Sequence, residues 1–271
     1  MSRIKNYKQH LVPLFEAFFI TNDAQKIKEH LISNSNLPSP RANLELAKAF
    51  ANMVEQYSEH ESEKLWKLCS EIIKISAEEA PTNDPKEFLP FCGASGIGDI
   101  GSVSLYYFEQ SLSMLKMLTN DSRWRIREAV CFGVQRLIRK RGMDTLNHLE
   151  RWIIDGTLLE LRAVAVAVAE PVLLKNEQIA YYALNLHKQI FNRIQNTADR
   201  KSEHFRILRK ALGFTFSTVV CEVPEPAFKF MHDLINSRDP DMRWILKENL
   251  KKNRLVKNYP EKVEFIKKML P

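Results

Sequence analysis

Glycine is scarce in this chain, with 8 copies among 271 residues, and long runs that alternate β-branched and polar residues are scarce as well. β-Sheets depend on such runs and on glycine-containing turns, so their scarcity counts against a strand-rich fold. The hydrophobic content of 45% is enough to form a large core in a chain of this length. The sequence therefore predicts an all-α protein.

Cysteine is also rare, and no two of the four cysteines form a CxxC pair. Widely separated cysteines are typical of free thiols in a reducing compartment rather than of a disulfide framework or a zinc site. We therefore expect no metal, no cofactor and a cytoplasmic location. The four positions are Cys69, Cys92, Cys131 and Cys221.

Long apolar runs are missing too. The longest, from Ala163 to Ala169, is far shorter than the roughly 20 residues that cross a bilayer. An apolar stretch near the N-terminus is interrupted by Pro13 and Glu16, so it does not resemble a secretory signal. These absences predict a soluble protein without a membrane partner.

Common catalytic motifs are absent, because the chain has no HExxH zinc motif, no phosphate-binding P-loop and no GxSxG nucleophile elbow. The stretch from Gly96 to Gly101 reads GxGxxG, but a dinucleotide site needs a preceding buried strand, which this region lacks. Half of all glycines lie between Pro81 and Gly101, so we predict a long irregular loop over residues 81–102. Its role stays open between packing and an anion-binding nest at a helix N-terminus.

What the chain does contain is a recurring helical unit. Apolar residues follow a three-and-four spacing from Ile126 to Leu137, which predicts an amphipathic helix. An apolar residue followed by arginine recurs near the start of later helices, and the arginines are 35, 47 and 34 residues apart, close to the period of stacked helical repeats. These arginines are Arg127, Arg162, Arg209 and Arg243. We predict one continuous domain, with helical repeats over residues 1–80, the loop over 81–102, and further repeats closed by a capping helix over 103–271. The apolar spacing predicts helices over residues 7–20, 23–32, 41–57, 61–80, 103–118, 122–140, 144–154, 158–174, 177–194, 203–220, 226–235, 240–253 and 260–270. An acid lies near the start of each second helix, where it suits a cap or first-turn position, and these acids are Asp121, Asp155, Glu203 and Asp239.

The stretch from Ile126 to Val130, with Asp121 six residues before Arg127, resembles the second-helix signature of armadillo-like HEAT repeats. The stretch from Asp239 to Arg243 is similar to it, with a shorter spacing between the acid and the arginine. The resemblance implies a right-handed α-solenoid of HEAT-like helical hairpins. It also implies that the four recurring arginines form a structural ladder with acidic residues of adjacent repeats. A looser resemblance to the helical-repeat alkylpurine DNA glycosylases implies a concave DNA-binding face, but it assigns no catalytic residue to this chain.

Positive charge is concentrated toward the C-terminus, where residues 187–271 carry 18 lysines and arginines against 10 acidic residues. If the second helices of the repeats line one surface, their polar faces place basic side chains around aromatic rings, a combination that suits phosphates and exposed bases. The predicted binding residues are Arg125, Phe132, Arg136, Arg139, Lys210, Phe214, Trp244, Lys251 and Lys252. Packing of the aromatic rings against neighbouring repeats is the other interpretation. We expect a non-catalytic binding or scaffold module for nucleic acid or an acidic protein surface, and its oligomeric state stays open.

An alternative function is that of a DNA repair glycosylase acting on alkylated bases. Asp121 is close to Trp124 and Arg125 in sequence, and a carboxylate at such a site stabilises the cationic sugar that a departing base leaves behind. Capping of the following helix explains the same carboxylate without catalysis. Asp121 is therefore a candidate catalytic residue of this alternative alone.

Overall fold

The computed structural model describes residues 3–270, and within this range the regular secondary structure is helical, with no strand. The all-α prediction is therefore confirmed. The chain divides into two compact units, Met1–Arg141 and Gly142–Pro271. The assignment of residues 1–80, 81–102 and 103–271 to one continuous domain stays a prediction.

Unit 1 contains six α-helices and one short 3-10 helix, Pro85–Glu87, within its described part. The predicted break between the helices over residues 41–57 and 61–80 is present as a kink at Glu61, where φ is −124° and ψ is 28°. The two helical segments form one long kinked helix from Leu44 to Ile73, so the second segment ends earlier than residue 80. Asn43 caps the start of this helix, because its side chain accepts a hydrogen bond from Leu46 N at 3.0 Å. The helices are α1 (Arg3–Thr21), α2 (Gln25–Ser33), α3 (Leu44–Ile73), α4 (Phe88–Val103), α5 (Leu105–Leu118) and α6 (Trp124–Arg141).

The glycine-rich segment is the largest departure from the sequence-based expectation. The predicted loop is instead α4, and every residue from Phe88 to Ser102 is buried. Helix α4 packs against α3, α5 and α6. Its glycines permit this close approach, because a Cβ built on Gly98 would lie 2.2 Å from the carbonyl oxygen of Gly133 on α6. Glycine costs about 1 kcal/mol per residue in a helix relative to alanine, and burial on several sides offsets that cost. The anion-binding nest is excluded together with the loop.

Unit 2 continues with paired helices. The helices are α7 (Met143–Asp155), α8 (Leu158–Ala167), α9 (Glu177–Gln195), α10 (Glu203–Glu222), α11 (Pro224–Ile235), α12 (Pro240–Leu250), α13 (Asn253–Asn258) and α14 (Pro260–Met269). Helix α10 packs against both α8 and α12, while α9 contacts α8 and α10, and α11 contacts α10 and α12. Helix α8 ends at Ala167, earlier than predicted, shortly before Pro171.

Side-chain caps explain where the second helices of unit 2 begin. Thr157 starts α8 with a capping box that includes Glu160, Ser202 caps α10, and Asp239 caps α12. The predicted role of Asp239 is confirmed. Asp155, which we also expected to cap a second helix, is instead the last residue of α7.

Across residues 3–270, no helix combines the length and the apolar character that a bilayer-crossing segment requires.

Candidate functional site

Helices α10 and α12 of unit 2 cross at Gly213. A Cβ built on this glycine would lie 3.1 Å from the ring of Trp244 and 3.3 Å from the Cβ of Glu248. Gly213 of α10 therefore packs against Trp244 of α12. We call the region formed by the exposed Lys210, Phe214 and Lys251 and the half-buried Trp244 the α10–α12 surface.

Trp244 is held in place by charged neighbours. The guanidinium of Arg209 lies 4.0 Å from the centre of the Trp244 ring, within the range of a cation–π contact. The Nε atom of the same arginine is 2.8 Å from an oxygen of Asp241 at the start of α12. Because Arg209 contacts the indole and is also held by Asp241, the half-buried Trp244 ring has little freedom to reorient.

The start of α12 is anchored by a second arginine. Arg200 forms ion pairs with Asp239 at 2.6 Å and with Asp241 at 2.9 Å. Burial on its own would raise the pKa of Asp239, but the hydrogen bonds from Arg200 and from backbone N–H groups outweigh it and lower that pKa. The carboxylate therefore stays ionised at neutral pH, as both the cap and the ion pairs require.

Asn249 fixes the register of α10 against α12, a role that the sequence alone did not predict. Its side chain is fully buried, accepts a hydrogen bond from Ser217 N at 2.7 Å and donates one to Leu212 O at 2.8 Å. A buried amide bonded to the backbone of a neighbouring helix specifies one alignment, because any slip would leave it unsatisfied. In the sequence, this role is indicated by a polar asparagine on an otherwise apolar helix face, among Ile245, Leu246 and Leu250.

Phe214 and Lys210 occupy the same exposed side of α10, because they are four residues apart. The Phe214 side chain is 43% exposed, whereas its neighbours Gly213 and Thr215 are buried. Lys210 is also exposed. The predicted pairing of a basic and an aromatic side chain is thus present on this helix.

At the end of α12, Lys251 is exposed and pairs with Glu248 at 2.6 Å. This hydrogen bond is the main cause of the lowered pKa of Glu248. Lys252 lies in the turn that starts α13 and is partly buried. Of these two predicted lysines, Lys251 therefore presents the more accessible ammonium group.

In unit 1, Arg125 is buried and does not form part of an exposed groove. It donates to Glu87 at 3.1 Å, to the Ser39 carbonyl at 2.6 Å and to Asn83 at 3.0 Å. The prediction that Arg125 is a surface binding residue was wrong, because the loops around residues 39 and 83 cover this part of α6. A helical wheel identifies a direction, but it does not show what lies there.

Arg136 and Arg139 belong to an ion-pair cluster between α3, α4 and α6. Arg136 donates to Asp99 at 2.7 Å, while Arg139 pairs with Glu55 at 2.8 Å. Lys140 lies 3.2 Å from the same glutamate. Burial on its own would raise the pKa of Glu55, but these cations lower it. Much of the positive charge that we assigned to a binding surface is therefore balanced inside unit 1.

Asp99 is the buried acid of this cluster, and sequence reasoning missed it because the residue was placed in a loop. Burial raises the pKa of Asp99 to about 7, although the Arg136 guanidinium acts in the opposite direction. Its Oδ2 atom is buried and has no hydrogen-bond partner among the residues that the structure describes. The charge of the Asp99 carboxyl group therefore changes with pH near neutrality.

Phe132, the third aromatic residue predicted to bind a partner, is partly buried. Its ring meets that of Phe91 on α4 edge-to-face, with the centroids 6.1 Å apart. This contact favours the packing interpretation for Phe132, in contrast to Phe214.

The four recurring arginines have three kinds of surroundings. Arg127 donates to the carbonyl of Asp121 at 2.7 Å, and Arg243 donates to that of Ser237 at 2.8 Å, in each case six residues earlier and in the turn before the helix. Arg209 instead bridges α10 to α12 through Asp241, and Arg162 is buried. The bridge of Arg209 has the form expected of a ladder between repeats, and for the other three the ladder stays a prediction.

Asp121 is engaged by a neighbouring arginine rather than directed into a cleft. Its carboxylate accepts from the backbone N–H of Arg123 at 2.7 Å and from the guanidinium of that residue at 3.0 and 2.8 Å. Arg123 is buried and also donates to the carbonyls of Ile75 at 3.0 Å, Ser76 at 3.2 Å and Ala80 at 3.1 Å. The pair therefore fastens the start of α6 to the segment that follows α3.

We predict that Asp121→Asn lowers the free energy of unfolding by about 2 kcal/mol, because hydrogen bonds to a charged group contribute roughly 1.5 to 3 kcal/mol. Urea unfolding followed by circular dichroism measures the loss. Asp233→Asn, on an exposed position of α11, is the matched control and should have no effect. A fully stable Asp121→Asn protein would contradict the structural role.

The fold and the surface define a class of protein, built from paired helices with a basic and aromatic patch in its second unit. Comparisons with protein-family models, with curated proteins and with solved structures find no match to this chain.

Proposed function

We propose that the protein is a non-catalytic α-solenoid of HEAT-like repeats that binds nucleic acid through the α10–α12 surface. The observation that carries this proposal is the exposed Phe214 ring one turn from the exposed Lys210, on the helix whose Gly213 packs against Trp244. Basic side chains contact phosphates and aromatic faces stack on bases, so the two residue types together suit a nucleic acid. The packing of α8, α10 and α12 in chain order supports the solenoid arrangement.

The charge distribution supports the same partner. Residues 187–271, which include the α10–α12 surface, carry 18 basic against 10 acidic residues. An acidic protein surface would meet the same charges, but it gains less from an exposed aromatic ring. We therefore favour nucleic acid and treat an acidic protein as the competing outcome of the test below.

The glycosylase alternative has less support. Asp121, its candidate catalytic residue, is occupied by Arg123 in the arrangement described above. Release of a methylated purine from alkylated duplex DNA by the wild-type protein, and its loss in a folded Asp121→Asn variant, would favour the enzyme instead.

We predict that the affinity for a fluorescent oligonucleotide falls steeply with salt between about 50 and 200 mM, with a log–log slope of roughly −2 to −4 for three or four neutralised phosphates. Lys210→Ala should reduce the slope by about 1 because one phosphate contact is lost. Fluorescence anisotropy measures both values.

Lys229→Ala is the control for this experiment, because Lys229 is an exposed lysine on α11, outside the α10–α12 surface. It should leave both the affinity and the slope unchanged. A flat salt response, or an equal effect of the two lysine variants, would reject the proposed surface.

A further inference from the structure

The exposed side of α10 has a regular order of side chains. Arg206, Lys210 and Phe214 follow one another at four-residue intervals, and the first two are exposed while the Phe214 ring is 43% exposed. Four residues of an α-helix span about 6 Å, so two cations and one ring form a line along the helix. A nucleic-acid strand that runs along this row of side chains passes two positive charges before it reaches the ring.

The ring of Phe214 differs from that of Trp244 in what already covers it. Trp244 has the Arg209 guanidinium 4.0 Å from its centre and Gly213 of α10 against its edge. Phe214, on the solvent side of α10, has much of its ring open. The Trp244 ring is therefore already covered by protein groups, whereas Phe214 offers an aromatic face to a ligand.

An exposed face of this kind distinguishes one form of nucleic acid from the other. In a duplex the bases are paired and stacked on each other, so an aromatic side chain on the outer side of a helix meets phosphates and sugars only. In a single strand the bases are free to leave their neighbours and to stack on a protein ring. Lysines attract both forms, whereas the Phe214 ring favours the single strand.

We infer that the α10–α12 surface, together with Arg206 on the same side of α10, binds single-stranded nucleic acid. An unpaired base stacks on Phe214, and the adjacent phosphates lie at Lys210 and Arg206. This inference rests on the proposed function and adds the class of ligand to it. Glu248, the nearby acid of α12, is paired with Lys251, so its negative charge is partly balanced where the strand passes.

The test compares two labelled probes, a strand of about 12 thymidines and a mixed-sequence duplex of the same length, within the usual range of single-strand site sizes. Wild type is expected to bind the strand more tightly than the duplex. Phe214→Ala should weaken binding of the strand about tenfold, in line with the known contribution of one stacked base, and leave duplex binding within about twofold. Fluorescence anisotropy at low salt gives both affinities.

Two further variants separate stacking from a general loss of structure. Phe214→Tyr keeps a flat ring and should bind the strand as wild type does. Phe265→Ala removes a ring that is 57% exposed on α14, and it should change neither affinity. Thermal unfolding by circular dichroism checks that all variants are folded.

The binding results for the strand, the duplex and the Phe214→Ala variant decide between the single-strand inference and its alternatives. Equal binding of strand and duplex, with no effect of Phe214→Ala, overturns the single-strand inference while the proposed nucleic-acid function stands. No binding of either probe at low salt overturns the proposed function itself. Binding of polyglutamate in place of both probes would identify an acidic protein as the partner and also overturn the inference.

Discussion

Gly98→Ala is expected to lower the free energy of unfolding of unit 1 by at least about 3 kcal/mol, the upper part of the range for an overpacked core. The new methyl carbon would lie 2.2 Å from the backbone carbonyl oxygen of Gly133. Backbone cannot rotate away as a side chain does, so α4 and α6 would have to separate. Urea unfolding followed by circular dichroism measures the effect.

The structure provides a reciprocal variant and a control. Gly133→Ala places its methyl carbon 2.6 Å from the Ala94 carbonyl oxygen, so it should be similarly destabilising. Gly213→Ala meets side-chain atoms at 3.1 Å and beyond, and the better helix propensity of alanine offsets part of that contact. Its effect should stay within about 1 kcal/mol. Gly98→Ala with wild-type stability would show that the two helices do not cross at these glycines.

Asp99→Asn is expected to become more stable relative to wild type as the pH rises from about 4 to 8. In the folded protein, burial raises the pKa of Asp99 from 3.8 to about 7. Between these values the folded state holds a proton that the unfolded state has lost, so the wild-type free energy of unfolding falls with rising pH. Above about pH 7 the contribution is constant.

The difference in unfolding free energy between variant and wild type should increase by an amount on the order of 4 kcal/mol over this range. The asparagine retains an oxygen that accepts the hydrogen bond from Arg136, and it carries no charge to desolvate. Other groups around the site, among them Glu55, Cys69 and Arg139, are common to both proteins, so the difference isolates Asp99. Urea unfolding at several pH values provides the data.

Asp233→Asn on α11 serves as the exposed control for the pH series, and its difference from wild type should stay flat. Parallel pH profiles for wild type and Asp99→Asn would mean that the carboxyl group does not hold the extra proton in the folded state.

Most helices follow directly from the apolar spacing of the chain. Helix α9 was predicted over residues 177–194 and is observed over Glu177–Gln195, and α10 begins at the predicted Glu203. In these segments one face is apolar and the other polar, so the local pattern and the final environment agree. The all-helical class was predictable for the same reason.

Helix α4 could not be predicted in this way. It is buried on several sides, so it has no polar face and no amphipathic spacing, and its glycines argue locally against a helix. Glycine is needed at these positions because α6 crosses α4 within contact distance, and that crossing is a property of the folded chain. The error over α4 also concealed Asp99, which became a candidate only once its helix was placed against Arg136.

The candidate site was predictable in part, and Phe132 and Phe214 illustrate the limit. Both are aromatic residues on the polar side of an amphipathic helix, and both were predicted to face a partner. One packs against Phe91, while the other remains exposed. Helical periodicity states which way a side chain points, but another part of the chain decides whether that direction leads to solvent.

Apolar periodicity, charge balance and capping residues are local quantities, and they were sufficient to establish the helical class and the bounds of most helices. Burial, ion pairing and helix crossing depend on residues that are distant in the chain. Contacts such as Arg125 with Glu87, Arg136 with Asp99 and Gly98 with Gly133 therefore required the folded structure. These contacts neutralise or bury arginines of α6, whereas Lys210 and Phe214 of unit 2 stay exposed. The free energy of a charge or a ring depends on its surroundings and not on its place in the sequence.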